Sequence, residues 1–328
     1  MTETHRYFVT GGAGFIGAHL TTRLLGETSG HVTVYDNFST GQGWHLEAVQ
    51  NDPRLTIVEG DVRDCEALRQ AIRNHHTVFH LASNSDIARA AVDPDIDFSN
   101  GTMLTRNVLE AMRLENVKRI FFTSGSGVYG EVPPYPIPED YDKMIPVSTY
   151  GACKLACEAL VSAYSFMFDI QGVVFRFANV VGPRQTHGVA YDFIRRLAAN
   201  PARLKIFGDG TQSKPYIHVD DVVGAFLMLE KNPEPGYRYF NVASKDFLTV
   251  NEIADLVAGC MGLKNVEYAH TGGSRGWKAD VPLYRLDTRK IRALGWKNKM
   301  NSREAVRASI TSMVKDVAAG RIKPDYGS

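Results

Sequence analysis

The sequence is poor in cysteine, nearly neutral in charge and without any long apolar run. Its 328 residues carry a formal net charge of +1, which argues against a general electrostatic attraction to nucleic acid. No stretch approaches the roughly 20 apolar residues that are needed to cross a membrane. The amino terminus has no secretory pattern, because its short apolar stretch runs directly into glycines. We therefore expect no nucleic-acid partner and no membrane association.

The cysteine content argues against a fold held together by disulfide bonds. There are four of them, scattered along the chain: Cys65, Cys153, Cys157 and Cys260. They do not have the pattern of a disulfide framework, and they fit a reducing cytoplasm. Cys153 and Cys157 are four residues apart on a predicted helix, but no further ligand stands nearby in the sequence. We therefore expect a cytoplasmic protein without a metal ion.

The first half of the chain alternates short apolar β-type runs with helical patterns. The predicted strands are Tyr7–Thr10, His31–Tyr35, Leu55–Glu59, Thr77–Leu81, Arg119–Thr123 and Val173–Phe177. Helical stretches separate most of these runs, as Phe15–Leu25 separates the first two. This β-α-β rhythm is typical of an α/β fold, in which a doubly wound parallel sheet carries helices on both faces.

The second half has a less regular rhythm. Val219–Leu229 and Val250–Met261 have helical patterns, and Tyr239–Val242 has a strand pattern. The segment Glu131–Pro146 is rich in proline and acid, which predicts an excursion over the surface. We expect a smaller C-terminal α/β domain that binds the substrate. The predicted boundaries assign residues 1–178 and about 216–242 to the first domain, and residues 179–215 and 243–328 to the second.

A glycine pattern at residues 8–17 predicts the ligand of the first domain. These residues read FVTGGAGFIG, so that Gly12, Gly14 and Gly17 satisfy Gly-x-Gly-x-x-Gly, while Gly11 offers a second spacing with the last two. The pattern follows an apolar strand and opens an apolar helix, which is the context that a dinucleotide site requires. Such a loop lets the backbone and the positive helix end approach a pyrophosphate. The prediction is a Rossmann-type domain; the weaker alternative is a glycine-rich turn without a ligand.

Asp36 indicates whether the predicted cofactor is NAD or NADP. It ends the second predicted strand, about twenty residues beyond the glycines. A carboxylate there accepts hydrogen bonds from both ribose hydroxyls and repels a 2′-phosphate, which favours NAD over NADP. Asp36 and Asn37 could instead form a simple turn. Asp61 and Val62 follow the third strand, where the adenine edge would lie, although Asp61 could equally cap a helix.

Tyr150 and Lys154 are the candidate catalytic pair. They stand four residues apart in TYGACKLACEAL, whose apolar residues predict a helix, so the two side chains share one face. A phenol has a pKa near 10, and bringing it near 7 requires about 3 units, or roughly 4 kcal/mol. A nearby ammonium group and a positive nicotinamide ring can lower the pKa by that order. A surface helix pair is the alternative, but the pair lies downstream of the dinucleotide pattern.

Seven short motifs follow one another in a characteristic order along the chain. They read FVTGGAGFIG, GDVRD, FHLAS, VYG, YGACK, RFANVVGP and LGW. The set resembles the extended short-chain dehydrogenase/reductase superfamily, and within it the NAD-dependent epimerase/dehydratase family, which acts on nucleoside-diphosphate sugars. The resemblance covers nearly the whole chain. It is highly specific for fold and cofactor and less specific for the reaction.

The resemblance implies roles for individual residues. Tyr150 would be the base, and Lys154 would bind the nicotinamide ribose and lower the pKa of Tyr150. Asn179, Lys214 and Arg275 would contact the diphosphate of the substrate, with lysine at position 214 where the family usually has arginine. The residues implied in NAD binding are Gly11, Gly14, Phe15, Ile16, Gly17, Asp36, Asn37, Asp61, Val62, Leu81, Ala82 and Ser83, together with Tyr150 and Lys154.

The sequence departs from the family pattern in TSGSGVYG. Three places before the valine of VYG the family has its catalytic serine or threonine, and this chain has Gly125. Ser124, Ser126 or a water molecule would then supply the hydroxyl, and we favour Ser126, which would also contact the substrate. Related 4,6-dehydratases carry Asp and Glu directly before VYG, whereas this chain has Ser126 and Gly127. Elimination of water by that route is therefore not expected.

These observations favour an NAD-dependent UDP-sugar 4-epimerase that acts through transient hydride transfer and a 4-keto intermediate. Alternatives are a dehydratase, decarboxylase or reductase on the same scaffold, or a regulatory NAD-binding protein without catalysis. Family members commonly dimerise through two helices per subunit. The corresponding segments here are Met103–Arg113 and the helix of Tyr150, both with apolar positions beyond one core-facing stripe. We therefore predict a homodimer, while the base, the sugar and the inverted carbon stay open.

Overall fold

The computed structural model describes residues 4–84 and 89–325. The chain divides into two compact units. The first unit comprises residues 1–128, 148–176 and 223–240, and the second comprises 129–147, 177–222 and 241–328. The sequence-based boundaries differ from these units, because they assign residues 129–147, 177–178, about 216–222 and 241–242 to the first domain. Each unit contains its own hydrophobic core.

A seven-stranded sheet forms the centre of the first unit, in the order β11-β6-β5-β4-β1-β2-β3. Its strands are β1 (Arg6–Thr10), β2 (His31–Asp36), β3 (Leu55–Glu59), β4 (Thr77–His80), β5 (Arg119–Gly125), β6 (Gln171–Phe177) and β11 (Tyr237–Val242). Strand β1 pairs in parallel with both β2 and β4, β2 pairs in parallel with β3, and β4 pairs in parallel with β5. The predicted doubly wound α/β fold is confirmed.

The helices of this region follow the strands in the predicted alternation. The chain as a whole contains α1 (Phe15–Glu27), α2 (Cys65–Ile72), α3 (Asp95–Asp97), α4 (Met103–Leu114), α5 (Thr149–Phe168), α6 (Val189–Ala199), α7 (Val219–Lys231), α8 (Val250–Cys260), α9 (Arg289–Ala293) and α10 (Ser302–Ala318). A π-helical turn, Phe98–Thr102, joins α3 to α4, and a 3₁₀ turn, Ser126–Tyr129, follows β5. Strands β1 and β4 each have four consecutive buried residues, as strands covered on both faces require.

The second unit is built from three two-stranded sheets and the helices that cover them. Strand β7 (Asn179–Val181) pairs with β10 (Tyr216–His218), β9 (Ser213–Lys214) with β12 (Leu248–Thr249), and β8 (Arg203–Ile206) with β13 (Glu267–His270). Capping boxes start α8 and α10: Thr249 bonds reciprocally with Glu252, and Asn301 with Glu304. These boxes satisfy amide groups that the first helical turns would otherwise leave unpaired.

The proline-rich segment Glu131–Pro146 belongs to the second unit, and the expectation of a surface excursion holds for only part of it. Ile137 and Glu139 are buried. The amide of Ile137 donates to the carbonyl oxygen of Arg285 at 3.0 Å. Glu139 accepts a hydrogen bond from the amide of Asn241 at 2.9 Å. Proline and acidic content predicted the irregular backbone, but it could not reveal these contacts with residues more than one hundred positions away.

Three further findings bear on the expectations from composition. None of the helices within residues 4–84 and 89–325 is long and apolar enough to cross a membrane. In the same part of the chain, no three His, Cys, Asp or Glu side chains are grouped so that they could hold a metal ion. All four cysteines carry free thiols.

Candidate active site

The parallel pairing brings the carboxyl ends of β1, β2, β4 and β5 to one edge of the sheet, the edge where ligands of such sheets bind. The glycine loop follows β1 there, and it needs its glycines. Gly11 has a φ of +68°, and a Cβ atom on it would lie 2.7 Å from the amide nitrogen of Ala82. A Cβ atom on Gly17 would overlap the carbonyl oxygen of Gly11 and would lie 2.7 Å from the Cα atom of Gly12. The loop is thus a close-packed backbone cradle.

Helix α1 begins at this cradle without a capping side chain or an acidic residue in its first turn. Gly14 is the N-cap residue, no side chain caps the turn, and the first turn contains no acidic residue. The amides of Phe15, Ile16 and Gly17 occupy the positions whose N–H groups have no partner within a helix. A pyrophosphate is the ligand that such amides and the helix dipole favour. The residues present therefore fit a dinucleotide.

Asp36 lies buried at the end of β2, beside the glycine loop. Its two carboxylate oxygens accept hydrogen bonds from the amides of Phe38 and Ala13, each at 2.9 Å. Burial raises the pKa of Asp36, and these amides oppose that rise. A carboxylate has about four acceptor positions, so Asp36 can still accept hydrogen bonds from ribose hydroxyls.

Asn37 lies just after β2 and Asp61 just after β3, and their side chains contact each other. Asn37 Nδ2 donates to Asp61 Oδ2 at 3.1 Å, and Arg63 Nη2 donates to the same oxygen at 2.6 Å. The Arg63 guanidinium holds the pKa of Asp61 well below its usual range. Asp61 does not cap α2, because Asp64 does, accepting from the amide of Ala67 at 3.0 Å. Sequence reasoning missed Arg63, which is two residues from Asp61.

The residues after β4 lie against the glycine loop. The amide of Leu81 donates to the carbonyl oxygen of Thr10 at 3.1 Å, and that of Ala82 donates to Thr10 Oγ1 at 3.4 Å. The buried hydroxyl of Ser83 has no hydrogen-bond partner among the described residues. Val62, after β3, is buried, and its carbonyl oxygen accepts from Asn107 at 3.1 Å. All twelve residues implied in NAD binding outside α5 thus lie at or just beyond the carboxyl ends of β1 to β4.

Tyr150 and Lys154 lie one turn apart near the start of α5, which Ser148 caps by accepting from the amide of Gly151 at 3.0 Å. Lys154 is 5% exposed. Its Nζ atom donates to the carbonyl oxygen of Thr123 in β5 at 2.8 Å and lies 5.7 Å from the centre of the Tyr150 ring. The ammonium group is therefore fixed between the end of β5 and the ring of Tyr150.

The electrostatics of the pair differ from the sequence-based argument. Burial raises the pKa of Tyr150, and the negative charge of Asp97 raises it further. Burial lowers the pKa of Lys154. The neighbouring side chains therefore keep the phenol protonated, and ionisation of Tyr150 requires a further positive charge close to its ring.

The serines of TSGSGVYG have different surroundings. Ser124, in β5, is buried, and its hydroxyl has no partner within the described part of the chain. Ser126 is half-buried and begins the 3₁₀ turn. A Cβ atom on the next residue, Gly127, would lie 3.6 Å from Gly151 and 4.0 Å from Tyr150 Cδ1, so this turn packs beside the tyrosine. A Cβ atom on Gly125 would meet nothing within 4 Å.

The second unit brings the candidate diphosphate residues together. Lys214 Nζ pairs with Asp280 Oδ1 at 2.5 Å, and Arg275 Nη1 donates to the carbonyl oxygen of Asp280 at 2.7 Å. The amide of Asn179 donates to the carbonyl oxygen of Pro215, next to Lys214, at 3.3 Å. Arg275 also pairs with Glu131. Sequence reasoning missed Asp280, because its partner Lys214 lies 66 residues away.

Known proteins place this arrangement in a family. The family model described as "NAD dependent epimerase/dehydratase family" matches residues 7–243, which include the glycine loop, Asp36 and the Tyr150–Lys154 pair. The chain belongs to the NAD-dependent epimerase/dehydratase family. The family resemblance seen in the sequence and the prediction of NAD as cofactor are confirmed.

Three members of the family illustrate the similarity. A UDP-glucose 4-epimerase of Mycolicibacterium smegmatis is 33% identical over 312 residues, covering 93% of this chain and 97% of that protein. The crystal structure of a UDP-galactose 4-epimerase superimposes with a TM-score of 0.85 at 34% identity, covering 95% of this chain and 99% of that chain. The UDP-glucose 4-epimerase of Thermotoga maritima, solved with UDP-glucose, gives a TM-score of 0.85 at 30% identity, with coverages of 95% and 99%.

Proposed function

We propose that this family member is an NAD-dependent UDP-sugar 4-epimerase. The observation that carries the proposal is the Tyr150–Lys154 pair at the carboxyl edge of the NAD-binding sheet, with Lys154 fixed by Thr123 at 2.8 Å. Ser126 and Gly127, the residues before the VYG motif, provide neither of the carboxyl groups of a 4,6-dehydratase. The similar proteins named as 4-epimerases support the same assignment.

In the proposed reaction, Tyr150 moves the proton and Lys154 supplies charge. The phenolate oxygen of Tyr150 accepts the proton of the sugar 4-hydroxyl while that carbon is oxidised to a ketone. NAD supplies the reversible hydride acceptor. After the ketone intermediate has rotated so that its other face accepts the hydride, Tyr150 returns the proton to the new hydroxyl. Lys154, held beside the ring, would stabilise the phenolate, and its ammonium group would also bind the nicotinamide ribose.

The second unit would hold the diphosphate through Asn179, Lys214 and Arg275. Lys214 and Arg275 are engaged with Asp280 and Glu131. A diphosphate would therefore compete with two carboxylates for these cations. Lysine binds phosphate as a point charge, without the bidentate fork of the usual arginine.

Screening against nucleoside-diphosphate sugars tests the proposal. The protein is expected to interconvert UDP-glucose and UDP-galactose, or another pair of UDP-sugars that differ at C4, with NAD retained. A dehydrated, decarboxylated or reduced product would favour the alternative reactions of the scaffold. Binding of NAD without conversion of any sugar nucleotide would favour a regulatory protein. The free thiols fit the cytoplasm, where these substrates would be met.

The hydroxyl that replaces the usual residue at Gly125 is expected to come from Ser126. Ser126→Ala should lower kcat by about 10-fold or more, whereas Ser124→Ala should change it much less, because the Ser126 turn packs beside Tyr150. Gly125→Ser restores the family's hydroxyl in open space, and it should rescue the Ser126→Ala variant. Steady-state kinetics on the converted UDP-sugar check this. Loss only in Ser124→Ala would move the role to Ser124, and two harmless alanines would assign it to water.

We propose further that the protein is a homodimer, with α5 at the interface. One face of this helix is exposed and apolar, formed by Ala152, Ala156, Ala159, Ala163, Phe166 and Met167. Phe166 and Met167 are 80% and 70% exposed. The spacing of these residues follows the helical repeat, so they form one continuous stripe. An apolar helix face of this kind is characteristic of an isologous contact.

Sedimentation tests the dimer. The protein is expected to sediment as a dimer at micromolar concentration, and Phe166→Lys should weaken association at least tenfold by placing a charge on the stripe. Val92→Lys, at a residue that is 89% exposed and outside α5, is the matched control and should leave the dimer unchanged. A monomeric wild-type protein would refute the proposal, and equal effects of the two lysines would move the interface away from α5.

A further inference from the structure

A buried carboxylate lies beside the catalytic helix, and the mechanism above does not use it. Asp97, in the short helix α3, is 1% exposed. Its Oδ1 atom accepts a hydrogen bond from Asn84 Nδ2, and its Oδ2 atom accepts one from Thr149 Oγ1, each at 2.7 Å. Both donors are neutral. Among the described residues, no lysine, arginine or histidine forms an ion pair with Asp97.

The Thr149 contact connects Asp97 to the active site. Thr149 is the first residue of α5 and directly precedes Tyr150. The π-helical turn that follows Asp97 contacts the same helix, since Thr102 Oγ1 donates to the carbonyl oxygen of Cys153 at 3.4 Å. A carboxylate at this end of α5 is also favoured by the helix dipole. Asp97 is therefore fixed at the start of α5 by the residue that directly precedes Tyr150.

The Asp97 carboxylate adds a negative charge to the surroundings of Tyr150. On α5, the Lys154 ammonium group lies 5.7 Å from the ring centre, and the Cys157 thiol is the other titratable neighbour. Strand β5 and the 3₁₀ turn present the neutral residues Ser124, Gly125, Ser126 and Gly127. Helix α3 contributes the carboxylate of Asp97. Its negative charge raises the pKa of Tyr150 and also raises that of Lys154. In this buried setting the interaction is weakly screened.

We propose that Asp97 is a positioning residue for the proposed epimerase reaction: it anchors the first turn of α5 through Thr149, and it holds a buried negative charge beside the residue that precedes Tyr150, which a positive charge bound near the ring would offset. The inference rests on the role of Tyr150 as base. When bound, oxidised NAD would supply that positive charge, so that Tyr150 would lose its proton only in the complex. Without a positive charge beside the ring, Asp97 favours the neutral phenol, which can return the proton to the sugar.

The test compares two charge-removing substitutions on the same short helix, measured in the NAD-loaded protein. Asp97→Asn removes the buried charge and keeps the shape, and Asp95→Asn removes an exposed charge two residues away. The first readout is the acid limb of the kcat–pH profile. The second is the ultraviolet absorbance of tyrosinate, taken as the difference between each protein and the same protein carrying Tyr150→Phe. This second readout does not depend on turnover.

The sign of the expected shift follows from the charge. Without the Asp97 charge the phenolate is less destabilised, so the pKa of Tyr150 falls and both midpoints move to lower pH, by roughly 1 unit. Asp95→Asn should move neither midpoint, because water screens an exposed charge. Unmoved midpoints in a folded, NAD-loaded Asp97→Asn protein, or a shift to higher pH, would overturn the inference. If Asp97→Asn does not fold, Asp97→Ser removes the same charge and is judged by the same outcomes.

Failure of the inference can be told apart from failure of the proposed function. If Tyr150→Phe retains full turnover of the UDP-sugar, Tyr150 is not the base and the proposed reaction is wrong. If Tyr150→Phe is inactive while Asp97→Asn keeps the wild-type midpoints, the reaction stands and only the role of Asp97 is rejected.

Discussion

Replacing Tyr150 with phenylalanine is expected to lower kcat for UDP-sugar epimerisation by about 10²–10⁴, because it removes the base that accepts and returns the proton of the sugar hydroxyl. The ring is retained, so the packing at the start of α5 should persist. Lys154 should also stay in place, since its hydrogen bond goes to the carbonyl oxygen of Thr123 and not to the phenol. Steady-state kinetics, together with the NAD content of the purified variant, provide the measurement.

A second tyrosine on the same helix is the matched control for this substitution. Tyr164 donates to Glu110 Oε2 at 3.1 Å, and it has no part in the proposed reaction. Tyr164→Phe should therefore retain kcat and bound NAD. Full turnover by Tyr150→Phe would contradict the mechanism. An inactive Tyr150→Phe protein that has also lost NAD would leave the chemical role to be measured after NAD is restored at saturating concentration.

The largest stability effect is expected at the ion pair between Arg176 in β6 and Glu158 in α5. Arg176 Nη2 lies 2.7 Å from Glu158 Oε2, and the two side chains are 5% and 3% exposed. Arg176→Met leaves a carboxylate buried without its cation, which should lower the free energy of unfolding by about 3–5 kcal/mol. Urea denaturation monitored by circular dichroism measures the loss.

The double variant separates the energy of the ion pair from the cost of leaving one buried charge unpaired. Arg176→Met combined with Glu158→Met replaces two charges with apolar side chains and should recover most of the lost stability. Arg113→Met is the control, because Arg113 pairs with Glu110 at the exposed surface of α4, and it should hardly move the urea midpoint. A small effect of Arg176→Met, equal to that of Arg113→Met, would show that the buried pair contributes nothing beyond a surface pair.

The sequence was informative wherever a function depends on a local pattern. The glycine loop, Asp36 and the Tyr150–Lys154 spacing each lie within one strand–loop–helix segment, so backbone requirements and helical periodicity reveal them. The six strands predicted in the first half are all present, and the structure moves their ends by at most two residues. Fold and cofactor follow from such patterns because the parallel sheet then dictates which strand ends meet.

Residues whose role depends on distant partners could not be found in this way. Asp97 is one of several acidic residues in DPDIDF, and nothing local distinguishes it from Asp95, which is exposed. Its burial and its contact with Thr149 arise only when α3 packs against α5, 52 positions later. The raised pKa of Tyr150 has the same origin, because it depends on burial and on the Asp97 charge. Sequence spacing revealed Lys154, whose positive charge favours the phenolate of Tyr150. It did not reveal Asp97, whose negative charge disfavours that phenolate.

In the proposed reaction, the hydride leaves and returns at the same sugar carbon while Tyr150 moves the proton. The most direct test is to incubate the NAD-loaded protein with UDP-galactose deuterated at C4 and to follow the products by NMR. The expected product is UDP-glucose that keeps its deuterium at C4, because the hydride is transferred to bound NAD and back without contact with solvent. Epimerised product that has exchanged its deuterium for solvent hydrogen would contradict hydride transfer to bound NAD.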